Sequence, residues 1–205
     1  MVTNSHYLEK RTTAYLSKAL LRHFLKGPEY DELVVVGIGT CRYSGDTLGP
    51  LVGSRLEKRF GSTSGISIYG TLDKPVHSLN LAKLVSRINK EHKRPYIIAV
   101  DSCLGRYYKV GTIQLVEGAL QPGASLDKQL PEIGNIHLKG IVNNFDPDLN
   151  HKVLEHTSLT FVADMAVTIA DVISKSAEQL LPRIAAQAGR QAADAKANNR
   201  LSSWM

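Results

Sequence analysis

Cysteine is scarce in this chain. Cys41 and Cys103 are the only two, too few for a disulfide framework and in keeping with a reducing compartment, so both read first as small buried residues. Long apolar runs are missing as well: nothing approaches the roughly 18 consecutive apolar residues of a membrane span. The opening stretch MVTNSHYLEKRTTAYL sets charges among its few apolar positions, where a secretory signal needs an uninterrupted apolar segment and a small-residue cleavage site. A cytoplasmic protein with no membrane contact is therefore expected. Nor is charge of one sign concentrated. The net charge is +6 and the pI near 9.3, but Lys and Arg are mixed with Asp and Glu along the chain, which argues against a nucleic-acid-binding stripe. The sequence contains no internal repeat and no linker that would separate domains.

What is present suits one globular domain: 205 residues, 43% hydrophobic and 21% charged, enough to bury a sizeable core. Between Thr13 and Leu25, Leu16, Ala19, Leu20 and Phe24 recur at helical spacing, and Gly27-Pro28 closes the helix. Leu33-Val34-Val35-Val36 is short, β-branched and ended by Gly37 and Gly39, as in a strand covered on both faces. A helix follows through Leu48, Leu51, Val52, Leu56 and Phe60. Pro50 fits only in its first turn, which makes Asp46 or Thr47 the N-cap. A strand over Ile66 to Gly70, a helix over Leu79 to Asn89 and the apolar run Tyr96 to Val100 come next. Alternating strand and helix predicts an α/β fold, a single three-layer domain with a mostly parallel central sheet. Gly111 to Val116 alternates like a half-exposed strand, and residues 123–135 read as loop. Leu159 to Leu181 is a long core-facing helix that Pro182 should end or kink. The domain is expected over 1–187, with 1–28 carrying an N-terminal helix packed on it and 188–205 a helical extension fraying into a flexible tail.

The chemistry centres on two carboxylates. Val36-Gly-Ile-Gly-Thr40 leads to Gly45-Asp46-Thr-Leu-Gly-Pro50, and Ile97-Ile-Ala-Val-Asp101 leads to a second loop. Asp46 and Asp101 are thus expected just beyond the carboxyl ends of two buried parallel strands, the edge at which open α/β sheets bind ligands. Like charges a few ångströms apart cannot both ionise cheaply, so a close pair shares a proton or holds a cation. Proton sharing suits peptide hydrolysis by an activated water. Taken singly, Asp46 serves equally well as a helix N-cap and Asp101 as a strand-end acceptor, helped by Ser102. Thr47 and Ser102, each following its aspartate, are candidates for orienting the carboxylates by hydrogen bonds, or simply for capping.

Gly37 and Gly39 read as permitting a tight turn after the strand. A dinucleotide fingerprint would need glycine where Arg42 stands, and the chain has no P-loop. His137, in Ile133-Gly-Asn-Ile-His-Leu-Lys-Gly140, could complete an Asp46, Asp101, His137 set for a divalent metal, or be a strand or loop histidine bonded to backbone. Cys103 with His137 as base is a remoter nucleophile, since no cysteine-hydrolase signature surrounds it. His77, His92, His151 and His156 read as surface residues.

The phrases VVVGIGTCRYSGDTLGPLVG, IIAVDSCLG and IGNIHLKGIVN, in that order, resemble the sporulation protein YyaC family across residues 30–175. That family is similar to the germination proteases of spore formers and, more remotely, to hydrogenase maturation peptidases. The resemblance implies a phosphorylase/hydrolase-like α/β fold and makes Asp46 and Asp101 the counterparts of the germination protease's two proposed catalytic aspartates. In the maturation peptidases the same positions bind a metal with a histidine as third ligand, for which His137 is the nearby candidate. The leading expectation is an aspartic-type endopeptidase needing no cofactor, acting in the forespore or mother cell on a protein or peptide substrate such as small spore proteins. Two rivals remain: a non-enzymatic peptide- or partner-binding protein, and a metal-binding maturation or checkpoint protein using Asp46, Asp101 and His137.

Overall fold

The run Leu33 to Val36 has no accessible surface, and the architecture follows from where such a strand must lie, covered on both faces. In the computed structural model, which describes residues 1–61, 63, 65–123 and 130–202 apart from the side chains of 188 and 191–202, it lies inside a six-stranded sheet. In chain order the elements are β1 Val2–His6, α1 Thr12–Lys26, β2 Glu32–Gly37, α2 Leu48–Phe60, β3 Ile66–Tyr69, α3 Leu81–Glu91, β4 Pro95–Gly105, β5 Thr112–Glu117, β6 Ile136–Asn144, α4 Asn150–Glu155 and α5 Leu159–Ser202. Single 3₁₀ turns occupy Ser44–Thr47 and Tyr107–Lys109.

The strand order is β1-β5-β6-β4-β2-β3. The β2–β3, β2–β4 and β4–β6 pairs are parallel, whereas β5 and β1 add an antiparallel margin. The fold is therefore a single α/β domain with the expected mostly parallel centre. Side chains alternate across the pleat, so β2 sends Leu33 and Val35 into one core with α1, α2 and α5, and Val34 and Val36 into a second with α3 residues Leu81 and Ile88. Helices on both faces make three layers. The chain passes from β2 to β3 on one side and returns to β4 on the other. The strand order thus reverses at β2, and the carboxyl ends of β2 and β4 form the switch point at which open α/β sheets place their ligand crevices.

Several details differ from the sequence expectation. β1, β6 and α4 are additional elements: VTNSH and NHKVLE carry no clear apolar period, and Lys139-Gly140 interrupts that of IHLKGIVNN. β4 runs to Gly105 rather than stopping at Val100, so Asp101 lies within the strand, not beyond it. Pro182 sits inside α5 without ending it; its missing N–H leaves the Glu178 carbonyl without a helical donor. The backbone of 188–202 is helical, while residues 203–205 of the expected tail and 124–129 of the expected loop lie outside the described residues. Cys41 is exposed rather than buried. The His92 side chain is buried rather than on the surface, bridging Glu32 at 2.7 Å and the Tyr69 hydroxyl at 2.8 Å. Among the described residues no helix is long and apolar enough to cross a membrane.

Candidate active site

The segment after β2 is folded tightly against its neighbours by backbone contacts. The Ile38 N–H donates to the Val100 carbonyl of β4 at 2.7 Å, and the Gly39 N–H to the Val76 carbonyl at 2.8 Å. Gly39 has φ +149°, and a Cβ there would lie 2.0 Å from the Asp46 carbonyl oxygen. A side chain at this position is therefore excluded by both conformation and space. That close approach lets Thr40 N–H donate to the Asp46 carbonyl at 3.1 Å while Asp46 N–H donates to the Tyr43 carbonyl at 3.0 Å. Gly37 is held equally close: its Cβ would meet the Gly49 oxygen of α2 at 2.2 Å.

With its backbone occupied in this way, Asp46 presents only its carboxylate. Of the two residues expected at the N-cap, Thr47 stands there, but without a capping side-chain bond. α2 starts at Leu48, Thr47 occupies the cap position in a helical conformation, and no side chain accepts a helix N–H there. The Thr47 hydroxyl donates to the Tyr43 carbonyl at 3.0 Å, so it braces the turn and does not orient Asp46. Ser102 does orient Asp101, but through its backbone N–H, which donates to Asp101 Oδ1 at 2.8 Å.

Asp46 follows β2 and Asp101 lies on the neighbouring β4, near enough for the charge of Asp46 to act on Asp101. Burial raises Asp46 above the usual carboxylate range, and the His151 imidazole of α4 acts in the opposite direction. Asp101 is pushed up to about 7. Although the residue as a whole is only part-buried, loss of water around its carboxyl is the largest cause, the negative charge of Asp46 the second, and the Ser102 N–H and Lys139 oppose them. Both carboxyl groups are thus shifted toward the protonated form, and ionisation of Asp46 makes ionisation of Asp101 harder.

His137 does not join them. It is buried on β6, in register with Ala99 and so two residues before the rung of Asp101. Its Nδ1 pairs with the Gly118 carbonyl at 2.9 Å, and burial lowers its pKa. The rung with Asp101 is occupied by Lys139, whose positive charge works against a cation at that place. Among the described residues no group of three His, Cys, Asp or Glu is placed to hold a metal ion, so the Asp46, Asp101, His137 set is not assembled. Cys103 is part-buried with its thiol pushed up to about 11, chiefly by burial, which disfavours the thiolate that a nucleophile needs.

Sequence reasoning missed two neighbours. Lys139 was reachable only through the β4–β6 register. His151, whose ring lies 6.2 Å from that of Tyr43, belongs to α4, which packs Leu154 against Gly45 in the turn bearing Asp46.

Comparison with known proteins agrees with the motifs. The chain is 45% identical over 142 residues to the uncharacterized protein YyaC of Bacillus subtilis (strain 168), covering 69% of this chain and 68% of that protein. Among solved structures it is similar to a NiFe hydrogenase maturation protease, HycI, from Thermococcus kodakarensis KOD1, at 15% identity and a TM-score of 0.45, covering 76% of this chain and 99% of that one. A family model described as "Protein of unknown function (DUF1256)" matches residues 4–172, and the chain accordingly belongs to the DUF1256 family.

Proposed function

We propose that this protein is a peptidase of the two-aspartate type, acting in the cytoplasm of a sporulating cell on a polypeptide such as a small spore protein. What supports the reading is the placement of Asp46 just after β2 and of Asp101 on the adjacent β4, with no side-chain cap on α2 and the charge of Asp46 acting on Asp101.

The surroundings favour a division of labour. Asp46, which has His151 to offset its burial, is the ionised partner, and Asp101 is the protonated one. Asp46 takes a proton from a water as its oxygen attacks the scissile carbonyl carbon, while Asp101 donates its proton to the carbonyl oxygen as that oxygen gathers charge. Collapse of the tetrahedral intermediate breaks the C–N bond. The amine leaves with the proton held by Asp46, and a hydroxyl of the intermediate returns its proton to Asp101, restoring both groups.

Incubation of the purified protein with small spore proteins, beside Asp46→Asn and Asp101→Asn, tests the mechanism by mass spectrometry of the products. Cleavage by the wild type alone is the expected result; equal cleavage by all three proteins sinks it.

A further inference from the structure

Lys139 is a charged residue that the proposed reaction does not use. It stands on β6 directly opposite Asp101 of β4 and Gln114 of β5, and Gln114 in turn faces Asn4 of β1. Directly paired residues project to the same face of a sheet, so Asn4, Gln114, Lys139 and Asp101 form one polar row across four strands. On the opposite face the intervening positions Ile113, Leu115, Leu138 and Val100 belong to the main core. On the row's own face the second core stops, on β4, at Ala99, two residues earlier. Asn4 is exposed, and Gln114, Lys139 and Asp101 are part-buried, so the row stays accessible.

Among the described residues the Lys139 side chain has neither an ion pair nor a hydrogen bond. Its charge is felt by Asp101, Cys103 and His137. The last two are a thiol and an imidazole, which carry no negative charge at neutral pH. The carboxyl on the rung of Lys139, that of Asp101, makes no ion pair with it, so the part-buried Lys139 keeps charge with which to hold an anion brought by a ligand. Gln114 and Asn4 extend the row with amide donors.

We propose that Lys139 is the anion-binding residue of this site, holding an anionic oxygen of the bound polypeptide, with Gln114 and Asn4 continuing the subsite outward across the sheet. The identity of the ligand rests on the peptidase reading, but the cation's demand for an anion does not. Two sources share the chemistry: a planar carboxylate carried by the substrate, and the tetrahedral oxygen that gathers charge at the scissile carbon.

The test is a titration of the ¹⁵N-labelled protein with acetate and, separately, inorganic phosphate at constant ionic strength, following the amides of Asp101, Gln114 and Lys139. Saturable shifts confined to this row are expected. They should be retained in Lys139→Arg and weakened at least tenfold in Lys139→Met. Tighter acetate binding marks a substrate carboxylate and tighter phosphate binding the reacting oxygen; both support the subsite. The absence of saturable shifts in the wild type, or equal shifts in a folded Lys139→Met, overturns it. No cleavage is needed for this readout, so a protein that binds anions here and cuts nothing rejects the peptidase reading alone.

Discussion

Replacing Asp101 with asparagine should make the protein more stable in neutral and alkaline buffer and leave it almost unchanged in acid. Burial and the charge of Asp46 push the carboxyl from its ordinary value of 3.8 up to about 7 in the folded chain. Between those values the folded state keeps a proton that the unfolded state has lost, so stability falls as pH rises through this window and levels off above about 7. The interval is roughly three pH units at about 1.4 kcal/mol each, or about 4 kcal/mol of destabilisation fully developed by about pH 8. The substituted side chain has no such proton to lose, and its amide oxygen can still accept the Ser102 N–H that Asp101 accepts at 2.8 Å. Urea denaturation of both proteins at pH 4, 6 and 8 reads the difference, because every other titrating group except the coupled Asp46 behaves alike in the two. The gap should open from near zero at pH 4 to about 4 kcal/mol at pH 8, a large fraction of a typical domain's stability. It should narrow in an Asp46→Asn background, where the second cause of the shift is gone. A gap that stays constant with pH, or that is indifferent to Asp46, refutes the coupled-acid account.

Cleavage, where it is found, should decline above pH 7 as Asp101 ionises and decline again in acid as Asp46 takes up a proton; a rate still climbing at pH 9 contradicts the assigned roles. Gly39→Ala places a Cβ 2.0 Å from the Asp46 oxygen at φ +149° and should cost upward of about 2 kcal/mol in denaturant, with loss of the Asp46–Asp101 coupling. Leu48 is fully buried at the start of α2, and Leu48→Ala should destabilise by about 3 kcal/mol, measured the same way. Toward a thiol reagent at pH 8, exposed Cys41 should react quickly and Cys103 slowly; peptide mapping of the labelled sites would show the reverse order if Cys103 were an activated nucleophile.

The central strands were legible because their signal is local. Leu33 to Val36 and Tyr96 to Val100 are apolar throughout, and a strand buried on both faces must be so. The helix over Leu48 to Phe60 was equally plain from its period and from Pro50. The polar end of β4 was not: Asp101 and Ser102 interrupt the apolar run, and only pairing with Lys139 and Gly140 keeps the backbone extended there. The same limit hid the real company of Asp101. Which residue stands opposite on β6 depends on inter-strand register, and a shift of two residues would have put His137 where Lys139 is. β1 was invisible for a related reason, since its five residues are held by β5, more than a hundred positions away, and not by any pattern of their own.

The contact between α2 and the sheet has a mechanical consequence. A Cβ at Gly49 would lie 2.1 Å from the Ile38 oxygen, and one at Gly53, a helical turn later, 2.1 Å from the Gly70 oxygen. Two points of backbone-to-backbone contact define a line, and a helix seated along a line can neither roll nor pivot without collision. Asp46 lies two residues before the first residue of that helix, so its position is set by a joint with no play. A ligand at Asp46 would meet backbone with little room to shift, so the cost of adjusting the fit would fall on the ligand.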